Sequence, residues 1–486
     1  MDPENNLDTQ SIKKRSVSAV LALISRTFLV QIISFVATLA LTYYLDPATY
    51  GVFYLVSSVI NFFGYFSDVG LAAALIQKKE KLTKEDLATT FTIQQLLVLT
   101  GASLLFLFSG TIKNYYNLED SGLMLLYGMI FAFLLSSLKT IPSVLLEREI
   151  QFHKLILPQV LETIVFNLVA VYFAFKGFGV DSFTYAVVAR GLVGLIAIYI
   201  VSPWKPVVGI YRGSIKSLLK FGLPYQANTF LAILKDDGMT IFLSKVIGAT
   251  GVGYLGWASK WAGLPLRIIM DNLTKVSFPV FARLQSEPER LAKAVSLNLK
   301  FLSLITFPSL ILMGFLSTPL ANLIPKYQKW LPAIVPLYFY LYNSAWASLS
   351  TSLTNLLNAT GNIKVTFKLM IMWTSLTWIL FPVLSFKFGY LGVAYATGLI
   401  ATSSVATIYF AQKIIKFEFL NSIKTSLISS FVMSAFLYFT ISGSSPLANV
   451  VIMAAISVTI YSVTVIYLEG KQLLSTIKQF TAIKNV

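Results

Sequence analysis

The 486-residue chain has no cysteine, a single histidine and only 12% charged residues. Without cysteine there are no disulfides and no thiolate metal sites. His153 lies in the polar connection LEREIQFHK (146–154), where it reads as an interfacial residue and not a catalytic base, and one histidine cannot supply a zinc pair. A phosphate-binding glycine loop and a nucleophile elbow are also missing, and the glycosylation signal at Asn272, Leu273 and Thr274 falls inside an apolar stretch. The polar connections are too short to house a catalytic domain. These absences favour transport over catalysis and imply no cofactor and no metal.

What the chain has in abundance is apolar sequence: 56% hydrophobic residues and a mean hydropathy of +0.73. That composition belongs to an integral membrane protein. Runs of about 20 apolar residues separated by polar turns predict an all-α protein with about 14 transmembrane helices. Their expected limits are 17–44, 48–76, 87–109, 121–145, 155–176, 181–202, 217–247, 250–281, 294–318, 329–359, 363–386, 390–412, 422–441 and 446–468. The opening MDPENNLDTQ is polar and acidic, unlike a secretory leader, so the first run is expected to be an uncleaved membrane helix.

Basic residues set the orientation. Lys13, Lys14 and Arg15, then Lys78, Lys79, Lys81 and Lys84, then Lys205, Arg212, Lys216 and Lys220 fall on one side. Arg283, Arg290, Lys293, Lys364, Lys368, Lys413, Lys416 and Lys424 continue that side, against Lys113, Lys176, Lys326, Lys329 and Lys387 opposite. The positive-inside rule then puts both termini in the cytoplasm, with the chain in the cytoplasmic (inner) membrane. It also accounts for most of the formal +17 as a lipid-facing rim, so no nucleic-acid partner is implied.

A faint duplication aligns PATYGVFYL (47–55) with ATGVGYLGW (249–257), and GVDSFTYA (179–186) with GYLGVAYA (389–396). Gly51 then matches Gly253 at an offset of 202, and Gly179 matches Gly389 at 210. Six helices separate equivalent points, an even number, which predicts two parallel six-helix lobes related by a pseudo-twofold along the membrane normal. The expected division is a cytoplasmic segment 1–16, an N-lobe 17–204, a C-lobe 205–412, and two further helices with a cytoplasmic tail at 413–486.

Ionisable residues inside the apolar runs are the candidate site, since each costs roughly 2.5 to 3.5 kcal/mol at the centre of a spanning helix. Lys260, Arg267, Asp271 and Lys275 follow one another at steps of seven, four and four, and so share one helical face. Lys235, Asp236 and Asp237 sit near the middle of the seventh run, with Gln226 eleven residues before Asp237 on the same face. Asp236 or Asp237 is a possible counter-charge for Lys260 or Arg267. Arg26, Asp68, Lys139, Glu162 and Arg190 complete the set, with Arg26 and Asp68 at similar depth on adjacent helices and Lys139 and Glu162 nearer the cytoplasm. Cations outnumber anions, and a cationic cavity in a low-dielectric wall attracts a phosphate or another acid. Substrate binding is therefore assigned to Arg26, Arg190, Lys235, Lys260, Arg267 and Lys275. Asp68, Asp236, Asp237 and Asp271 are the candidates for proton or sodium coupling or for charge pairing. Trp257, Trp261, Trp330 and Trp346 read as packing or interfacial anchors.

Taken together, YYLDPATYGVFYL and FFGYFSDVGLAAALIQKKE (within 43–80), FGLPYQANTFLAILKDDGMTIFLSKVIGATGVGYLGWASKW (221–261), LLNATGNIKVTFKL (356–369) and FGYLGVAYATGLI (388–400) resemble a known group. It is the polysaccharide-exporter branch of the superfamily that includes multidrug and toxin extrusion proteins and oligosaccharide-lipid flippases. The resemblance covers essentially the whole chain. It implies a flippase carrying an oligosaccharide on undecaprenyl diphosphate to the outer leaflet, by alternating access through a central cationic cavity between two lobes. It implies a lipid-linked anionic oligosaccharide and membrane lipids as partners, alongside polysaccharide polymerase and glycosyltransferases. Arg26 falls on the family's basic position in the first helix, Asp68 on the acidic position before Gly70, and Asp237 on the polar position of the seventh. Arg267 is carried over at a position that varies among these flippases.

Rival readings differ in substrate or role. A multidrug exporter would favour an acidic, aromatic cavity, which the excess of Lys and Arg opposes. A lipid II flippase would share the span count and the cationic cavity. A non-transporting scaffold for glycan assembly would make every buried charge structural.

Overall fold

The structure is a computed structural model and describes residues 30–78, 80–442 and 446–483. The described chain is helical, joined by turns and by an irregular segment at 203–211, with no strand among the described residues. Nine stretches among them are long and apolar enough to cross a membrane, and two of these, Phe230–Met270 (41 residues) and Ile363–Ile414 (52 residues), are each long enough to cross twice. The protein is a multi-pass membrane protein. Its described residues cluster into two compact units, one ending at Gly253 and the other beginning at Tyr254.

The first unit begins with α1 (Val30–Tyr44) and α2 (Pro47–Tyr65). Pro47 opens α2 at a position where its missing N–H costs nothing. The second expected run is not one helix: it breaks after Tyr65 and resumes as α3 (Leu71–Gln77). The break passes through Val69 at φ 49° and Gly70 at φ 74°, left-handed backbone that a β-branched valine adopts only under strain. Next come α4 (Lys84–Leu107) and α5 (Ser109–Tyr116). A reciprocal box in which Thr83 accepts the Asp86 N–H and Asp86 accepts the Thr83 N–H starts α4. The fourth expected run divides into α6 (Asp120–Leu138) and α7 (Thr140–Arg148), with Lys139 at the joint. Then follow α8 (Phe152–Phe175), α9 (Asp181–Val201) and α10 (Arg212–Ile233).

Helix α10 runs into a π-helical turn, Leu234–Gly238, before α11 (Met239–Arg283). Within α11 the backbone leaves helical geometry at Gly248 (φ 70°, ψ 173°), between the expected runs 217–247 and 250–281. Helices α8 and α9 pack along each other, and α6 lies against α9, α4 and α2. At one end Leu71, Leu75, Phe91, Ile141, Val144 and Leu218 form a buried core shared by α3, α4, α7 and α10. There the Arg148 guanidinium donates to the carbonyls of Leu75 (2.7 Å), Lys78 (2.6 Å) and Glu80 (2.5 Å), closing the C-terminal end of α3.

One crossing in this unit is reciprocal. A Cβ on Gly51 would stand 1.7 Å from the Ala249 carbonyl oxygen, and a Cβ on Gly253 would stand 1.8 Å from the Pro47 carbonyl oxygen. Each glycine meets the carbonyl four residues before the other, so the two segments touch as a symmetric pair. Only hydrogen fits at either position.

The second unit contains the rest of α11, then α12 (Pro288–Leu323), a 3₁₀ turn Pro325–Ala333, α13 (Ile334–Ala359), α14 (Ile363–Thr402), α15 (Val405–Ile414), α16 (Phe419–Thr440) and α17 (Leu447–Ile483). Gly389 (φ 58°) breaks α14 between the expected runs 363–386 and 390–412. Its aligned partner Gly179 also has positive φ, 53°. Leu291, Val295, Leu299 and Leu302 form one stripe of α12 and pack on Leu349, Leu353 and Leu356 of α13. Lipid leaves little hydrophobic drive between helices, so polar contacts add to packing: Asn298 donates to Ser352 at 2.5 Å, and the hydroxyls of Ser303 and Ser426 meet at 2.8 Å. Lys300 of α12 pairs with Glu469 of α17, which also accepts from Thr425 of α16.

Candidate functional site

The π-helical turn consists of Leu234, Lys235, Asp236, Asp237 and Gly238, so the three charges near the middle of the seventh run lie where the helix widens. Such one-turn insertions concentrate at functional sites because the extra residue redirects side chains that a regular helix would place elsewhere. Asp236 pairs with its neighbour Lys235, so its nearest counter-charge is local. Asp237 points the other way and accepts from the Asn61 side-chain amide of α2 at 3.3 Å. Gln226 also meets α2: its amide donates to the Tyr65 carbonyl, and the Tyr65 hydroxyl donates to the Gln226 carbonyl. Gln226 and Asp237 thus share a face, and that face is zipped to α2.

Asn61, Tyr65 and Asp237 line a cavity of about 610 Å³ inside the first unit. Phe53, Phe133 and Phe166 supply aromatic wall, Ser57 and Gln94 neutral polar groups, and Lys139 and Arg190 the cations. A second cavity of about 580 Å³ shares Ser136, Lys139, Thr140 and Arg190 with the first and adds Glu147, Gln159 and Glu162. Glu162 of α8 joins the two cations. Its Oε1 is 2.7 Å from Lys139 Nζ, and its Oε2 is 3.4 Å from Arg190 Nε. The carboxylate and the lysine are largely buried, whereas the Arg190 side chain is 55% exposed.

Sequence reasoning counted Lys139, Glu162 and Arg190 among the candidate charges but assigned substrate binding to Arg190 alone of the three, with Lys139 and Glu162 placed nearer the cytoplasm. The structure brings the three together as one charge group. No linear spacing could reveal this, since the residues come from the α6–α7 joint, α8 and α9. Among the described lining residues Lys139 and Arg190 stand against Glu147, Glu162 and Asp237, so the two cavities show no surplus of positive charge there.

The positive surplus lies on α11. Lys260 is half-buried, Arg267 and Lys275 are exposed, and the three keep their sevenfold and eightfold steps along an unbroken helix. Lys260 and Arg267 lie within electrostatic reach of each other, and the Arg267 guanidinium runs back over Gly263. Among the described residues none of these three cations takes part in an ion pair. Asp68 has a local partner: its carboxylate accepts the Ala72 N–H at 3.1 and 3.3 Å, using one of the free N–H groups at the start of α3. Arg26 and the side chain of Asp271 lie outside the described residues, and with them the Arg26–Asp68 pairing.

One further expectation concerns the aromatics. Trp330 is fully buried and stacks on Trp257 at 5.3 Å, which is a packing role. Among the described residues no group of three or more His, Asp or Glu side chains could hold a metal ion.

The described chain is thus a helical, multi-pass membrane fold with charge groups held among its helices. Residues 40–335, more than half of the chain, match the family model described as polysaccharide biosynthesis protein, and the chain belongs to that family. It is 22% identical over 300 residues to the succinoglycan biosynthesis transport protein ExoT of Rhizobium meliloti (strain 1021), covering 61% of this chain and 60% of that protein. It is 23% identical over 377 residues to the lipopolysaccharide biosynthesis protein WzxC of Escherichia coli (strain K12), covering 75% and 74% respectively. Among solved structures it is similar in fold to the lipid II flippase MurJ in an inward closed conformation, with a TM-score of 0.75 at 18% identity over 93% of this chain and 99% of that one.

Proposed function

We propose that the protein is a flippase that carries undecaprenyl-diphosphate-linked oligosaccharide repeat units across the cytoplasmic membrane, with both termini in the cytoplasm and fourteen helices in two lobes plus two. The observation that carries this reading is the row Lys260, Arg267 and Lys275, which lacks an ion-pair partner among the described residues, within an apolar helix of a polysaccharide biosynthesis protein. Membrane helices do not keep three cations in one row for packing, and lysine and arginine together suit a diphosphate: arginine by bidentate hydrogen bonds, lysine as a point charge. The similarity to a succinoglycan biosynthesis transport protein and to a lipopolysaccharide biosynthesis protein supports a glycan precursor as cargo.

In this reading the diphosphate rests against the α11 cations while the glycan fills the polar space, and the lobes alternate between cytoplasmic and outer access. Asp68, Asp236, Asp237 and Asp271 are the carboxylates proposed to couple a proton or sodium gradient. Polymerase and glycosyltransferases would act before and after the step.

The test is translocation of a lipid-diphosphate-linked oligosaccharide in proteoliposomes, with and without an imposed ion gradient. Arg267→Ala is expected to abolish transport while the protein stays folded, and Arg267→Lys to retain part of it. Transport by the alanine variant at the wild-type rate would remove Arg267 from the path. Transport of lipid II in preference to other donors would redirect the substrate assignment.

A further inference from the structure

We propose that Glu162 is a displaceable counter-ion, a carboxylate that holds Lys139 and Arg190 until the substrate's phosphate displaces it to bind there. The inference rests on the flippase reading and adds a selectivity device within the first unit. Three observations carry it.

The two contacts of the carboxylate are unequal. Lys139 holds Oε1 at 2.7 Å, but Arg190 reaches Oε2 only through Nε, at 3.4 Å. The Arg190 terminal nitrogens make no hydrogen bond among the described residues, and its side chain, which lies 6.0 Å from the Phe166 ring, is more than half exposed. The guanidinium is therefore anchored by its stem side while its fork faces open space, the geometry for bidentate contact with a phosphate.

Space is reserved for the carboxylate itself. A Cβ on Gly194, one turn along α9 from Arg190, would stand 2.1 Å from Glu162 Oε1. Glycine there lets the carboxylate lie flat on α9 between the two cations.

The third observation is the charge count. Among the described lining residues Lys139 and Arg190 already face three carboxylates, Glu147, Glu162 and Asp237, so an entering anion gains little until Glu162 gives up a cation. A neutral or cationic compound cannot compete for Lys139 and Arg190. The contest for Arg190, the looser contact, therefore selects for anionic cargo and keeps it releasable.

The test uses the full-length protein in detergent micelles, with farnesyl diphosphate as the probe and farnesol as its uncharged counterpart, by calorimetry. Glu162→Gln is expected to bind the diphosphate about tenfold more tightly than wild type, one unit charge of repulsion being removed from a partly solvated site. Farnesol binding should not change. In the transport assay the same variant should show a lower half-saturation and a lower maximal rate, a split that a structural role would not produce. Because Glu162→Gln leaves Lys139 unpaired and could misfold, the variant Lys139→Gln with Glu162→Gln, which conserves net charge, is the second probe. Freed from its counter-ion, Arg190 should bind the diphosphate there about threefold more tightly. Equal or weaker binding by the folded variants, or a wild type that does not distinguish farnesyl diphosphate from farnesol, would overturn the proposal. Tightened binding without glycan transport would refute the flippase reading alone, and transport without tightening would refute this inference alone.

Discussion

The reciprocal glycine crossing makes the sharpest stability prediction. In Gly51→Ala the new methyl would lie 1.7 Å from the Ala249 carbonyl oxygen, whereas ordinary contact begins at 3.4 Å, so the crossing must open by roughly 1.7 Å. The obstacle is backbone and cannot rotate away, which places the cost at the upper end of the 1–3 kcal/mol usual for overpacking, or beyond it. Alanine returns about 1 kcal/mol of helix propensity. The expected net loss is about 2 kcal/mol, read as a fall of several degrees in thermal unfolding followed by size-exclusion chromatography in detergent. Gly110→Ala is the control, because a Cβ there meets nothing within 4 Å and should be neutral or mildly stabilising. The double variant Gly51→Ala with Gly253→Ala should cost much less than the sum of the two singles, since one opening relieves both contacts. If Gly51→Ala unfolds at the same temperature as Gly110→Ala, the close approach is not there and the reasoning fails.

Two other substitutions test charges that tie helices together. Arg148→Ala removes three donors from the end of α3 and should cost about 2–4 kcal/mol; unchanged thermal stability would refute the capping role. Lys300→Met strands the Glu469 carboxylate, which is only 10% exposed, and should cost about 2–3 kcal/mol, while Lys300→Met with Glu469→Gln should regain most of it. A double variant as unstable as the single would show that the pair matters for more than mutual neutralisation.

Much of the helical architecture could be read in the chain because apolar runs and glycine breaks are local signals. The gaps left between the seventh and eighth runs, and between the eleventh and twelfth, fall on Gly248 and Gly389, where the backbone does turn. The break after Tyr65 was hidden: Ser67, Asp68 and Gly70 are too few polar or flexible residues to interrupt a hydropathy window, and it takes a carboxylate bonded to Ala72 to restart the helix. The polar face of Gln226 and Asp237 follows from helical spacing, but the π-helical turn at Leu234–Gly238, which lies against α2, carries no such periodic signal. Lys139, Glu162 and Arg190 were each visible as buried charges, yet their meeting depends on three helices packing side by side. The pair of Lys300 and Glu469 joins two helices more than a hundred residues apart and left no local trace.

Viewed as an assembly problem, the contact of Gly51 with residue 249 and of Gly253 with residue 47 has the form of an isologous interface, the kind two identical subunits make across a dyad. In a homodimer every side chain at such an interface occurs twice, and a useful charge on one side is forced on the other. Within one chain that constraint is lifted. The segment Lys235–Asp236–Asp237 and the carboxylate of Glu162 can then be specialised singly, and either side of the dyad can mutate without its mate. A chain built this way keeps the self-fitting surface of a dimer and gains the freedom to be asymmetric where a substrate is.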